Sequence, residues 1–166
     1  MRSKSQLATG IALALGLVVS SNAGAVDNGV VAPAIAAVDS NGRSVDLKNL
    51  RGKVVYVDFW ASWCAPCRRS FPWMNAMHEK YSAKGLVVVG INVDKKRADA
   101  DRFLAQVPAQ FTVAYDPEGK TPTAYAIKGM PSSVLIDAQG RVIAAHAGFR
   151  DDDREMLEAG IRAALP

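Results

Sequence analysis

A run of β-branched and aromatic residues from Lys53 to Phe59 leads towards the segment Trp63-Cys64-Ala65-Pro66-Cys67. Helical periodicity begins at Cys67 and continues to about residue 83. A strand that passes into a helix over so few residues is typical of a βαβ unit, which restricts the chain to α/β folds with a mainly parallel sheet. Cys64 and Cys67 are the only two cysteines among 166 residues, so this junction holds every thiol of the chain.

The rest of the chain continues the alternation of strands and helices. Two short strands, residues 36–38 and 44–47, flank the turn signal Asn41-Gly42 and predict an N-terminal hairpin. Downstream, the pattern predicts a strand at 86–93, a helix at 98–107, a strand at 111–115, a short helix at 121–127, hairpin strands at 133–137 and 142–146, and a final helix at 151–165. This order predicts one α/β domain with a central mixed sheet flanked by helices.

The first 25 residues have the three-part pattern of a secretory signal peptide. Arg2 and Lys4 precede an apolar run over residues 7–19, and Ala23-Gly24-Ala25 follows it. The run is shorter than the ~20 residues with which a helix crosses the hydrocarbon of a membrane. We therefore expect export to the periplasm or another exported location, with cleavage after Ala25 and a mature domain of residues 26–166. Retention of the segment as an anchor is the alternative.

Charge and composition describe an ordinary globular domain. Apolar residues make up 49% of the chain and charged residues 22%, which suits a protein with a buried core. Without Arg2 and Lys4, 18 basic and 16 acidic residues remain, so the formal charge of the mature domain is only +2. The sequence shows no dense basic face with interleaved aromatic residues, and we expect no nucleic-acid partner.

The spacing of the cysteines favours a redox-active pair over a structural disulfide. A bridge that closes so short a loop removes little chain entropy from the unfolded state, whereas structural bridges gain most from long loops. At a helix start, unpaired backbone N–H groups and the helix dipole favour the thiolate, which is the species that attacks disulfides. Cys64, nearer the turn, is the expected nucleophile, and Cys67, one helical turn on, is the expected resolving thiol.

Metal binding is the alternative use of a cysteine pair. A closed zinc site needs about four ligands, and the chain offers only His78 and His146 as further strong ones. If the helix continues from Cys67, His78 stands about 16 Å away at ~1.5 Å per residue, too far for a shared coordination sphere. We therefore expect no metal site, and we expect both histidines to be ordinary helix-surface and strand residues.

Asp58 interrupts a strand that should be apolar throughout, because helices cover both faces of a parallel sheet. Two interpretations are open. In the first, the strand frays and Asp58 faces water. In the second, Asp58 is a buried carboxyl with a raised pKa, and it takes the proton from Cys67 while the mixed disulfide is resolved.

Three blocks carry a family resemblance in their order along residues 32–148. They are Asn41-Gly42 with Leu50-Arg51-Gly52-Lys53, the run from Val57 to Cys67, and Gly129-Met130-Pro131-Ser132-Ser133-Val134-Leu135-Ile136-Asp137. Together they resemble the thioredoxin superfamily, specifically its TlpA/ResA-like branch of exported thiol-disulfide oxidoreductases. The 67 positions from Cys64 to Pro131 exceed the spacing of plain thioredoxin by about one αβ unit, an insert typical of this branch.

The resemblance implies a thioredoxin-like fold with an N-terminal β-hairpin. It also implies that the inserted αβ unit lies between the CxxC helix and a cis Met130-Pro131 bond. Trp63, Met130 and Pro131 are then expected to contact an extended substrate segment beside the cysteines. The implied enzyme is a monomer with no cofactor except the Cys64-Cys67 disulfide. It keeps exported protein thiols reduced, such as the haem-binding cysteines of apocytochrome c, with electrons from a membrane thiol donor.

Two other functions stay open. The chain could instead introduce disulfides, because Ala65-Pro66 tunes the reduction potential without revealing its value. It could also handle Cu(I), because soft thiolates select that ion.

The chain departs from the family pattern at two positions. Ser70 stands three positions after Cys67, where many members of the branch carry an acidic residue implicated in substrate chemistry. Asp58 stands where many members have Asn, and it matches the buried Asp of thioredoxin itself. We interpret the pair of changes as a transfer of proton handling from one position to the other.

Overall fold

The computed structural model describes residues 26–166, and the predicted signal peptide, residues 1–25, lies outside the described residues. The described chain forms six strands and four α-helices. In chain order they are β1 (Val38–Asp39), β2 (Val54–Trp60), α1 (Cys67–Tyr81), β3 (Leu86–Asn92), α2 (Arg97–Gln106), β4 (Thr112–Tyr115), α3 (Lys120–Ala124), β5 (Ser132–Ile136), β6 (Val142–Ala147) and α4 (Asp153–Ala164). Short 3-10 helices form at Leu47–Leu50 and Ser82–Lys84.

The six strands form one sheet in the order β1-β4-β3-β2-β5-β6. Strands β2, β3 and β4 run parallel to one another, whereas β1, β5 and β6 are antiparallel to their neighbours. Helix α2 and strand β4 lie between α1 and β5 in the chain. The mixed sheet with its flanking helices confirms the predicted α/β thioredoxin-like fold.

Successive residues of β2 point to opposite faces of the sheet and take part in two cores. Tyr56 and Trp60 pack with residues of α1, α2 and α4. Val57 and Phe59 pack on the other face, where Tyr125 follows α3. All seven residues of β2 are buried, so the strand that leads to the cysteine loop is held from both sides.

The N-terminal hairpin differs from its prediction in the second arm. A single antiparallel bridge joins Val38 to Ser44, and β1 pairs mainly with β4. Residues 44–47 are not a strand, because the Asp46 side chain accepts a hydrogen bond from the Lys48 backbone N–H and begins the 3-10 helix. A local side-chain cap thus competes successfully with strand pairing.

The stretch that precedes β1 forms backbone hydrogen bonds at the beginning of β6. The Ala32 N–H donates to the Gly140 carbonyl, and the Val142 N–H donates to the Val30 carbonyl, both at 2.9 Å.

None of the helices within residues 26–166 is long and apolar enough to cross a membrane.

Candidate active site

Cys64 and Cys67 lie where β2 passes into α1, and a disulfide joins them, with the Sγ atoms 2.08 Å and the Cα atoms 5.4 Å apart. Cys67 is the first residue of α1. A hydrogen bond of 3.1 Å from its N–H to the Cys64 carbonyl closes the turn. Cys64 is 3% exposed and Cys67 0%, but the neighbouring Trp63 is 70% exposed. The chain therefore presents a large aromatic side chain to solvent directly before the disulfide.

A carboxylate that sequence reasoning missed holds the loop before Cys64. Asp94, buried just after β3, accepts hydrogen bonds from the Ser62 backbone N–H and the Ser62 hydroxyl, both at 2.9 Å. The Asn92 side-chain amide donates to the same carboxylate at 2.8 Å. The signal that could have revealed this clamp is the polar pair Asn92 and Asp94 at the carboxyl end of a buried strand, where α/β folds place functional groups.

Replacing Asp94 with Ala is expected to lower the free energy of unfolding of the oxidised protein by about 2–4 kcal/mol, because three donors near a buried site lose a charged acceptor. Denaturant unfolding measures this change. Ser62→Ala is the matched control, since it removes only the hydroxyl contact and should cost about 1 kcal/mol. Equal losses in the two variants would show that the carboxylate does not clamp the loop.

The Met130–Pro131 peptide bond is cis, as the family resemblance implies. It directly precedes β5, whose first residue Ser132 pairs with Phe59 near the carboxyl end of β2. The cysteine loop leaves β2 at that same end, so the register brings both segments to one edge of the sheet. Met130 packs against the core that contains both cysteines. A cleft of about 380 Å³ borders the segment and is lined by residues 126–132 and 145–148.

Asp58 lies within β2 and is 2% exposed, which excludes the interpretation in which it faces water. Because side chains alternate along a strand, it points to the same face as Tyr56 and Trp60, the face on which both cysteines pack. Its Oδ1 atom has no hydrogen-bond partner within the described part of the chain. Burial raises the pKa of this carboxyl well above its usual range. Such a group can accept and hold a proton in the core.

Ser70 supplies no charge to the site. It is buried, and its hydroxyl donates a hydrogen bond to the Cys67 carbonyl at 3.2 Å, within α1.

The two histidines lie on different elements, His78 on α1 and His146 on β6. Within residues 26–166 no group of three or more His, Cys, Asp or Glu side chains is arranged to hold a metal ion.

The reduced protein is expected to react with iodoacetamide at Cys64 well before Cys67. Cys67 has no exposed surface, whereas Cys64 lies in the turn before the helix, where backbone N–H groups favour a thiolate. Peptide mapping after timed labelling at neutral pH measures the order. Earlier modification of Cys67 would reverse the assignment of nucleophile and resolving thiol.

The fold and the site together define the class of protein. A disulfide between cysteines two residues apart begins the helix after a central strand, and a cis-proline lies at the same edge of the sheet. This arrangement is that of a thioredoxin-superfamily protein with a redox-active cysteine pair.

Comparison with known proteins identifies the family. The sequence matches the Redoxin family over residues 27–161. It is 33% identical over 138 residues to the thiol-disulfide oxidoreductase ResA of Bacillus cereus, with 83% of this chain and 79% of that protein covered. The ResA of Bacillus subtilis is 30% identical over 123 residues, with coverages of 74% and 69%.

Solved structures of thiol-disulfide proteins are also similar to this chain. A crystal structure from Chlorobium tepidum, provisionally named thiol:disulfide interchange protein DsbE, has a TM-score of 0.81 and 57% identity, and covers 84% of this chain and 99% of that one. The thioredoxin domain of a thiol-disulfide oxidoreductase from Bacteroides vulgatus has a TM-score of 0.73 and 27% identity, with coverages of 82% and 99%. The chain belongs to the Redoxin family and is a thiol-disulfide oxidoreductase of the TlpA/ResA-like branch of the thioredoxin superfamily.

Proposed function

We propose that this protein is an exported reductase of protein disulfides, with Cys64 as nucleophile and Cys67 as resolving thiol. The observation that carries the proposal is the Cys64–Cys67 disulfide at the start of α1, at the sheet edge that also holds the cis Met130–Pro131 bond. The helix start stabilises a thiolate at Cys64, which gives the pair its reactivity.

The reaction moves two electrons from the dithiol to the substrate. The Cys64 thiolate attacks one sulfur of a substrate disulfide, forms a mixed disulfide and releases the first substrate thiolate. Cys67 then loses its proton and attacks the Cys64 sulfur. The intramolecular disulfide forms, the second substrate thiolate leaves, and both released thiolates take protons according to the surrounding pH. No cofactor besides the cysteine pair enters this scheme.

Asp58 serves in the second step as the base for Cys67. It points to the face of the sheet that packs the cysteines, and burial raises the pKa of its carboxyl well above the usual range, so its carboxylate form binds a proton strongly. Cys67 has no exposed surface in the disulfide form, which favours a buried group over bulk water as the acceptor of its proton.

Substrates bind as extended segments beside the disulfide. The exposed Trp63 ring offers apolar area, and the Met130 backbone offers hydrogen-bonding groups beside the cis Pro131, whose own carbonyl already accepts from the Gly148 N–H. Pairing between an extended peptide and an exposed backbone segment is a general mode of peptide recognition. We therefore assign Trp63, Met130 and Pro131 to substrate contact.

The working location and the partners follow from the leader pattern and the family resemblance. Residues 1–25 direct export to the periplasm or an equivalent compartment and are removed there. In that compartment the monomeric protein keeps selected thiols reduced, such as the haem-binding cysteines of apocytochrome c, and receives electrons from a membrane thiol donor.

The test is electron transfer to an oxidised peptide that contains Cys-X-X-Cys-His. The reduced protein is expected to reduce the peptide disulfide stoichiometrically and faster than it reduces insulin. A variant with both Cys64→Ser and Cys67→Ser is the control. Rapid oxidation of the reduced peptide by the oxidised protein would instead identify an oxidant. Stoichiometric Cu(I) binding without peptide reduction would identify a copper-handling protein.

A further inference from the structure

Polar side chains form a row across three neighbouring strands, starting at Asp58. Asp58 of β2 pairs in register with Ser133 of β5, and Ser133 pairs with His146 of β6. Residues that pair directly across strands share one face of the sheet, with Cβ atoms about 4.5–5.5 Å apart. The row therefore leads from the buried carboxyl to the edge of the sheet on the face that packs α1 and α4.

A small cavity lies along this row. It has a volume of about 60 Å³ and is lined by Tyr56, Ser133, Leu135, Ala144, His146, Met156, Leu157 and Gly160. A site needs only ~10–15 Å³ of such volume to hold one water molecule. The Tyr56, Ser133 and His146 side chains are its polar lining groups, and the volume leaves room for a water molecule between Ser133 and His146.

The outer end of the row reaches solvent. The His146 side chain is 21% exposed, although its Nε2 atom is itself buried, lies 3.3 Å from Oδ2 of Asp153 at the start of α4, and has no hydrogen-bond partner within the described residues. Hydrogen bonding from the Arg150 backbone N–H lowers the pKa of Asp153, so this carboxyl is ionised at neutral pH and places a negative charge beside the imidazole of His146. His146 also lines the open cleft beside Pro131.

We propose that Ser133 and His146 form the route by which the proton that Asp58 takes from Cys67 reaches solvent. The route rests on the role of Asp58 proposed above. In each turnover the Cys67 S–H bond breaks and a carboxyl O–H bond forms at Asp58. That proton then passes to the Ser133 oxygen while the Ser133 hydroxyl proton moves outward to the imidazole of His146. His146 finally releases one proton to water, so no net charge stays in the core.

Other ionisable groups near the row do not offer a competing exit. Burial raises the pKa of the Tyr56 phenol, the charge of Asp58 raises it further, and Ser133 opposes the rise, so Tyr56 stays protonated. On the helices, Glu158 of α4 accepts hydrogen bonds from Lys80 and Tyr81 of α1. Among the described residues, Cys67 packs in the core on the face of β2 that carries Asp58, and Asp153 lies beside His146 and accepts a hydrogen bond from the Arg150 backbone N–H.

Stopped-flow kinetics with a chromogenic aryl disulfide test the route, because attack by Cys64 and resolution by Cys67 each release one coloured thiolate. Ser133→Ala and His146→Gln are each expected to slow the second release at neutral pH by about 10-fold and to leave the first within about twofold. Added imidazole is expected to restore the second rate in His146→Gln, which a purely structural defect would not allow. His78→Gln, which changes the other histidine of the chain, is the control and should show neither effect.

An unchanged second rate in either Ser133→Ala or His146→Gln would overturn the route, because the two groups act in series. Asp58→Asn separates this failure from failure of the proposed function. A slow second release in Asp58→Asn beside unchanged rates in the other two variants would retain Asp58 as the base and reject the route alone. An unchanged rate in Asp58→Asn would reject both.

Discussion

The Cys67→Ser variant is expected to accumulate a mixed disulfide through Cys64 when it meets an oxidised protein substrate. Cys64 keeps its place in the turn before α1 and can still attack, but the thiol one helical turn on is missing. The lifetime of the mixed disulfide should increase on the order of 10³-fold or more, as for other losses of an essential catalytic group. Non-reducing electrophoresis followed by mass spectrometry identifies the trapped pair.

The matched control is Cys64→Ser, which retains only the fully buried Cys67 thiol. It should trap almost no substrate, because the remaining sulfur has no exposed surface from which to attack. If both single variants trapped substrate equally, the two cysteines would have interchangeable roles and the ordered mechanism would be wrong.

The Asp58→Asn variant is expected to resolve the mixed disulfide roughly 10- to 10⁴-fold more slowly than the unchanged protein near neutral pH, the range typical of a lost general base. Asn keeps the shape of the side chain but cannot take the proton from Cys67. The first attack by Cys64 should change much less. The two coloured-thiolate releases from the aryl disulfide measure both steps in one experiment.

Stability is expected to change in the opposite direction. Burial raises the pKa of Asp58 in the folded state. As pH rises past the ordinary carboxyl pKa, the unfolded chain ionises while the folded protein keeps its proton, so stability falls until the raised pKa is reached. Asn does not titrate, so Asp58→Asn should be more stable than the unchanged protein at neutral pH, and this advantage should disappear at low pH. Denaturant unfolding of the oxidised forms across pH measures it.

Rapid resolution by Asp58→Asn, combined with pH-independent stability differences, would show that this buried carboxyl neither serves Cys67 nor carries an ionisation cost. Slow resolution together with a loss of stability would point to a packing defect instead of a missing base. The proposed role therefore depends on both measurements moving as stated.

The elements around the site could be predicted because their signals are local. The strand from Val54 and the helix from Cys67 are contiguous in sequence and strongly patterned, and the structure has both. The motif around Pro131 likewise indicates its cis bond through the resemblance alone. The prediction of a strand at residues 44–47 was wrong, because the Asp46 side chain caps a 3-10 helix there. A pattern of strand-forming residues does not reveal such a side-chain cap.

The contacts that surround the cysteine pair could not be predicted, because they depend on register between distant segments. Asp94 and Ser62 are 32 positions apart, and only the parallel pairing of β2 with β3 brings them together. The row from Asp58 through Ser133 to His146 depends on two further antiparallel registers. A shift of one residue in either would turn these side chains to the opposite face.

The equilibrium of the Cys64–Cys67 pair with glutathione tests the central claim most directly, because it measures the direction in which the pair transfers electrons. The fraction of reduced protein is followed across ratios of reduced to oxidised glutathione, and the midpoint gives the reduction potential. If the protein keeps exported thiols reduced, the reduction potential of the pair should be near or below about −250 mV. A potential near about −120 mV would contradict the account and identify the protein as a disulfide-introducing oxidant.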